Sequence, residues 1–92
     1  MQTETKIGKK SVPKNVASFL WAELLNKKNV VIMAALGQQA VHVMVRSVIA
    51  LNSRLVQIGK VALIFPYVTV EEAENNTLIV YRFRVVLSEL VV

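Results

Sequence analysis

The sequence predicts a single α/β domain, a two-layer sandwich of order β-α-β-α-β-β in which two helices lie on one face of a four-stranded mixed sheet. Three observations predict it. Two segments repeat their apolar residues every three to four positions, a short unbroken apolar run lies between them, and the C-terminal third alternates apolar with polar residues. The 92 residues are enough for one domain, residues 1–92, and no linker, repeat or low-complexity segment divides them.

Residues 1–5 read as a disordered tail and 6–10 as a short first strand or its exit. Ser11 then stands where a helix N-cap is wanted, with Pro13 in the first turn, where its missing N–H costs nothing. Val12, Val16, Phe19, Leu20 and Leu24 follow on one stripe, so the first helix is expected over 12–26. The stop is Asn26-Lys27-Lys28-Asn29, which sets cations at the negative end of the helix dipole. Residues 30–36 are a continuous apolar run rich in β-branched side chains, too short for a helix, and read as a central strand buried on both faces. Gly37 ends it.

From 38 to 55, Val41, Met44, Val45, Val48, Leu51 and Leu55 recur at helical spacing, and the second helix is expected there despite its β-branched content. After Gly59, residues 61–70 form a strand in which Pro66 marks an edge or a bulge. Residues 71–76 read as a polar turn. Over 77–87, Ile79, Tyr81, Phe83, Val85 and Leu87 share one face of a final strand, with Arg82 and Arg84 on the other.

Composition narrows the function classes. A domain of this size buries only about 60% of its unfolded surface, yet the chain is 54% hydrophobic with a mean hydropathy of +0.50. The surplus, and the apolar end Val85-Val86-Leu87-Ser88-Glu89-Leu90-Val91-Val92, call for a partner surface, most simply a homodimer or homotetramer. A membrane span needs roughly 20 apolar residues, far more than the longest run, and the N-terminal residues lack a signal-peptide pattern. A cytoplasmic protein without membrane contact is expected. With no cysteine and one histidine, His42, disulfide and metal chemistry are not expected.

Net charge is +5, unevenly spread. Residues 1–60 carry nine Lys/Arg against two Glu, and residues 61–92 carry two Arg against four Glu. A basic balance concentrated in one part of the chain suits a polyanionic partner, because cations on phosphates release counterions and give sequence-independent affinity.

The stretch Ile7-Gly8-Lys9-Lys10-Ser11-Val12-Pro13-Lys14-Asn15-Val16 resembles the opening of Alba-superfamily proteins, where an I-G-K-K-x-V pattern leads from the first strand into the first helix. Ala35-Leu36-Gly37, Ala40 and the apolar spacing through Val48-Ile49 are similar to the strand-turn-helix that follows there. Within the superfamily the chain looks closest to the bacterial stage V sporulation protein S family, whose K-S-x-P-x-S-V-A opening compares with Lys10-Ser11-Val12-Pro13-Lys14-Asn15-Val16-Ala17. Gly59 and the strand ending in Ile64-Phe65-Pro66 fit as well, and the likeness covers roughly residues 6–85. The resemblance implies an Alba-like fold, a dimer, binding of DNA or RNA, a role in regulating sporulation and septation, and no enzyme. The family's lysine pair falls on Lys9 and Lys10. Gln38 stands where archaeal members often have Arg, and Glu71, Glu72 and Glu74 stand where they have a basic hairpin, so insertion of that hairpin into a duplex groove is not implied.

The residues themselves suggest a binding site. Lys6, Lys9, Lys10 and Lys14 lie within nine positions around a strand exit and helix start. With Ser11 and the free amides of a helix N-terminus they suit phosphate oxygens; a solvated basic loop is the plain alternative. Gln38 and Gln39 open the second helix beside its free amides. Arg54 is a candidate rim contact, whereas Arg46 reads as solvated or interfacial. Arg82 and Arg84 alternate with Tyr81 and Phe83, a pattern seen in single-strand binders but read here as aromatic residues in the core and arginines on the outer face or at a dimer interface. Trp21 is placed in the core or an interface. No catalytic residue is expected: the carboxylates of 71–74 fall in a turn, His42 reads as structural, and no phosphate-binding or nucleophile motif is present. The sequence thus favours a DNA- or RNA-binding regulatory protein of low sequence specificity, without cofactor. The alternative is a protein-interaction or assembly module that uses its apolar sheet and C-terminal strand.

Overall fold

A computed structural model describes residues 1–90. Its strands β1 (Gln2–Ile7), β2 (Val30–Ala35), β3 (Lys60–Ala73) and β4 (Asn76–Glu89) alternate with helices α1 (Pro13–Trp21) and α2 (Gln38–Leu55) in the predicted order. The sheet runs β1-β2-β4-β3. β1 is parallel to β2, and β4 is antiparallel to both β2 and β3, so the two-helix, four-stranded mixed α/β sandwich expected from the sequence is the fold.

Both helices pack on one face. α1 buries Val16, Ala17 and Leu20, and α2 buries Ala40, Val43, Met44, Val48, Leu51 and Leu55. They meet Ile7, Val31, Met33, Ala35, Ala62 and Val85 of the sheet in one apolar core. Ser47 is fully buried among them, and its hydroxyl is satisfied by donating to the Val43 carbonyl at 2.7 Å.

Several boundaries differ from expectation. Residues 2–5 are not a disordered tail but most of β1, in register with β2 from Gln2 opposite Val30 to Ile7 opposite Ala35; alternating Thr3, Thr5 and Ile7 give this edge its inward face. Residues 8–10 lie in the following turn rather than in the strand. α1 gives way at Ala22 to a π-helical turn, Ala22–Asn26, in which the Lys27 amide reaches back to the Ala22 carbonyl. Ser11 is not the N-cap; Val12 holds that position without a side-chain bond.

The hairpin is longer than predicted. Glu71 and Glu72 are strand residues, and the turn is only Glu74-Asn75, with Asn75 left-handed at φ 59°. The β3 to β4 register is unbroken from Lys60 to Ala73, so Pro66 marks the sheet edge, not a bulge. Of the expected apolar end, Val91 and Val92 lie outside the described residues.

Length sets the shape. β3 and β4 have 14 residues each and β2 has six. β2 ends with Ala35 opposite Tyr81, so the hairpin beyond that pair projects as a two-stranded arm, and the molecule measures 47 × 25 × 23 Å. Ile7 also ends β1 opposite Ala35. The turn after β1, the starts of both helices and the root of the arm therefore share one end of the body. No described helix is long and apolar enough to cross a membrane.

Candidate nucleic-acid interface

At that end, residues 8–11 close a tight turn. The Gly8 amide donates to Ser11 Oγ at 3.0 Å and the Ser11 amide donates to the Gly8 carbonyl at 3.0 Å. This reciprocal pair uses the Ser11 hydroxyl as a turn clasp, and it leaves Lys9 and Lys10 exposed at the tip.

β2 enters α2 through Gly37, whose φ of 85° and ψ of 163° suit glycine alone. α2 begins with Gln38 and Gln39, and its first intrahelical bond is Val41 amide to Gly37 carbonyl, so the amides ahead of Val41 lack helical partners. Neither helix carries an acidic residue in its first turn. The positive ends of both helix dipoles are thus unneutralised by the chain itself.

Between the two helix starts runs an open groove of about 430 Å³ lined by Lys9, Ser11, Gln38, Gln39, His42 and Arg46. It continues along α1 into a second hollow lined by Val12, Lys14, Arg46 and Ile49. Lys9, Ser11, Lys14 and Gln38 are therefore brought to one surface, and Lys10 lies at its rim by virtue of the turn. Among the described residues four ion pairs form, and their cations are Lys27, Lys60 and Arg82. The lysines of the turn and Arg46 remain available to an external anion. Such a surface can hold successive phosphates by charge and amide hydrogen bonds.

Arg54 does not join this surface. It lies in the last turn of α2, about 24 Å along the helix from Gln38, and its guanidinium stacks 4.4 Å from the centre of the Trp21 ring, a cation–π contact on a half-buried indole. Lys6 is also separated. In register with Ala34, it points to the sheet face opposite the helices.

His42 and Arg46 are the groove residues that sequence reasoning assigned elsewhere. A signal was present: Gln38, His42 and Arg46 recur every four residues, which aligns them on one helix face.

Arg82 and Arg84 project, as expected, from the sheet face away from the helices. Arg82 is the hub of a network there. It donates to Thr69 Oγ1 at 2.9 Å, to Glu71 Oε1 at 2.8 Å and to Glu4 Oε1 across the sheet. Arg84 is exposed and forms no ion pair among the described residues.

No protein-family model matches the chain, and no curated protein matches it significantly.

Proposed function

We propose that this chain is a cytoplasmic, non-catalytic, Alba-like protein that binds DNA or RNA through phosphates and shape, with low sequence specificity, as a homodimer or homotetramer. The observation that carries this reading is the groove between the helix starts, which combines Lys9, Ser11, Gln38, His42 and Arg46 with acid-free helix N-termini. A groove of this kind rewards the backbone of a polyanion through its cations and free helix-start amides. Self-association is supported by apolar side chains left exposed on α2 and on the arm, among them Ile49, Val70 and Ile79.

The test is fluorescence anisotropy of labelled single-stranded DNA, duplex DNA and RNA over a salt series. Affinity should fall linearly on a log-log salt plot. The variant Lys9→Glu with Lys10→Glu should lose binding while keeping its circular dichroism spectrum, and undiminished affinity would sink the assignment.

A protein-interaction module is the second reading, favoured by the exposed apolar residues of the arm. It gains the lead if the wild-type protein binds no nucleic acid at low salt.

A further inference from the structure

The sheet face turned away from the helices has no layer over it, yet its central positions are dry. Ile32, Ala34 and Val80 are only 7, 6 and 6% exposed and stand outside the core beneath the helices. The register shows what flanks them. Ile32 lies between Glu4 and Arg84, and Ala34 lies between Lys6 and Arg82. Long charged side chains from the neighbouring strands cover the middle of this face with their aliphatic stems.

Beside this covered strip, Phe65 and Tyr67 rise from β3 with 51 and 40% of their surface exposed. Phe65 is directly opposite Arg84 and Tyr67 directly opposite Arg82. The carboxylates of this face do not compete for Arg84: Glu4 and Glu71 are both engaged by Arg82. That leaves Arg84, directly opposite Phe65, and Lys6, on the far strand of the sheet, as the charges of this face open to a ligand.

We propose that this face is a second nucleic-acid contact, selective for unpaired bases, in which Phe65 and Tyr67 each stack a base and Arg84 takes the adjoining phosphate. The proposal rests on the nucleic-acid reading above and extends it. Residues two apart on a strand are about 7 Å apart, twice the roughly 3.4 Å between stacked bases of a duplex strand. Two bases on these rings are therefore unstacked from one another, which a single strand allows and a duplex resists.

The two surfaces are connected. A cleft of about 330 Å³ at the root of the arm is lined by Lys6 and Gly8 on one side and by Val80 and Arg82 on the other, and the Glu4 and Glu71 carboxylates on its walls are both paired with Arg82. Gly8 joins it to the lysine turn, and Arg82 on its far wall stands opposite Tyr67. A strand held by phosphates at Lys9 and Lys10 can pass through it and lay its next bases on the sheet.

The experiment compares labelled oligo-dT with a labelled duplex in anisotropy titrations. The variant Phe65→Leu with Tyr67→Leu keeps apolar bulk on the strand but removes the aromatic faces. It should lose about 25-fold or more in oligo-dT affinity, since two stacked bases are released and each contributes roughly 5- to 150-fold, with duplex affinity unchanged. Phe65→Tyr with Tyr67→Phe should restore wild-type binding. Unchanged oligo-dT affinity in the leucine variant, alongside loss of binding in Lys9→Glu with Lys10→Glu, overturns the stacking face and leaves the groove standing. Failure of the wild type to bind either probe overturns both. A leucine variant whose mass by light scattering differs from wild type identifies the face as a contact between copies of the chain, which also overturns the proposal.

Discussion

Arg82 on β4 reaches over β2 to hydrogen-bond Glu4 on β1, tying together the two strands that flank β2. The strand it crosses presents Ala34 opposite Arg82, and a methyl group there leaves room for the guanidinium arm. Because Arg82 also holds Thr69 and Glu71 on β3, one side chain links the outermost strands of the sheet.

The carboxylates of Glu4 and Glu71 are half exposed, so each pair alone is worth little; the shared, mostly buried guanidinium makes the network more than two surface pairs. Arg82→Met should lower unfolding free energy by about 1–2 kcal/mol. In a double-mutant cycle with Glu4→Gln, urea denaturation should reveal coupling that shrinks with added salt. Additive effects would show that the bridge contributes nothing.

Glu23 supplies a pH dependence. It is buried at the start of the π-helical turn, near the start of β1. The Thr3 hydroxyl beside it, the Lys27 ammonium and the Asn29 amide hold its carboxyl below the ordinary glutamate value, against the opposing effect of desolvation. Lys27 Nζ lies 2.9 Å from Oε2, and Asn29 Nδ2 donates to Oε1 at 3.3 Å. A folded-state pKa that is depressed gives stability present above the unfolded value, about 4.3 for glutamate, and lost as pH falls through the folded value. The Tm gap between wild type and Glu23→Gln should therefore be full at neutral pH and close on acidification below about pH 4. A gap that stays constant across that window would show that the carboxylate charge is not what anchors β1.

What was legible in the sequence, and what was not, follows from how each element is stabilised. β2 and α2 are held by burial, and burial writes a pattern: an unbroken apolar run for one, a repeating stripe for the other. β1 has a single apolar residue, Ile7, and is held by pairing with β2 and by Thr3 near Glu23, so Gln2-Thr3-Glu4-Thr5 resembled a tail. Glu71 and Glu72 resembled a turn because the projecting arm is solvated on both faces and needs no alternation. Ser11 stands where an N-cap belongs, but its hydroxyl is taken by the Gly8 amide three residues back. Charge and helix-start chemistry place the lysine turn and Gln38 together at one end of the body, whereas Arg54 stands apart from them. The length of α2 carries it to the opposite end of the body.

Gly37 governs how α2 presents its first amides to the groove. Its backbone lies in a region that side chains other than glycine scarcely enter, while a Cβ there would meet no atom within 4 Å. The cost of Gly37→Ala is thus backbone strain without a clash, about 1–3 kcal/mol in urea denaturation. Gly8→Ala is the control. Its Cβ would make only an ordinary 3.8 Å contact with Ser11 Oγ, and its stability should stay near wild type. Equal losses at the two sites would mean that the turn geometry, not the φ of residue 37, sets the penalty.

Asn52 protects the edge that β3 offers to other chains. The Gly59 carbonyl accepts from the Leu90 amide just before β3 begins, which by alternation turns the main-chain groups of even-numbered β3 residues outward. Pro66 is one of these, so its missing N–H breaks no ladder bond and leaves an intruding strand nothing to accept from. Ala62 is another, and it is buried. Asn52 on α2 answers both of its groups, accepting from the Ala62 amide through Oδ1 at 2.7 Å and donating to its carbonyl through Nδ2 at 3.3 Å. The side-chain amide thereby acts as a one-residue neighbouring strand. Asn52→Ala leaves a buried donor and acceptor unpaired and should cost about 1–3 kcal/mol, with accelerated hydrogen exchange at the Ala62 amide. Exchange at Ala62 as slow as in the wild type would show that water or a repacked strand replaces the amide, and that the edge does not depend on Asn52.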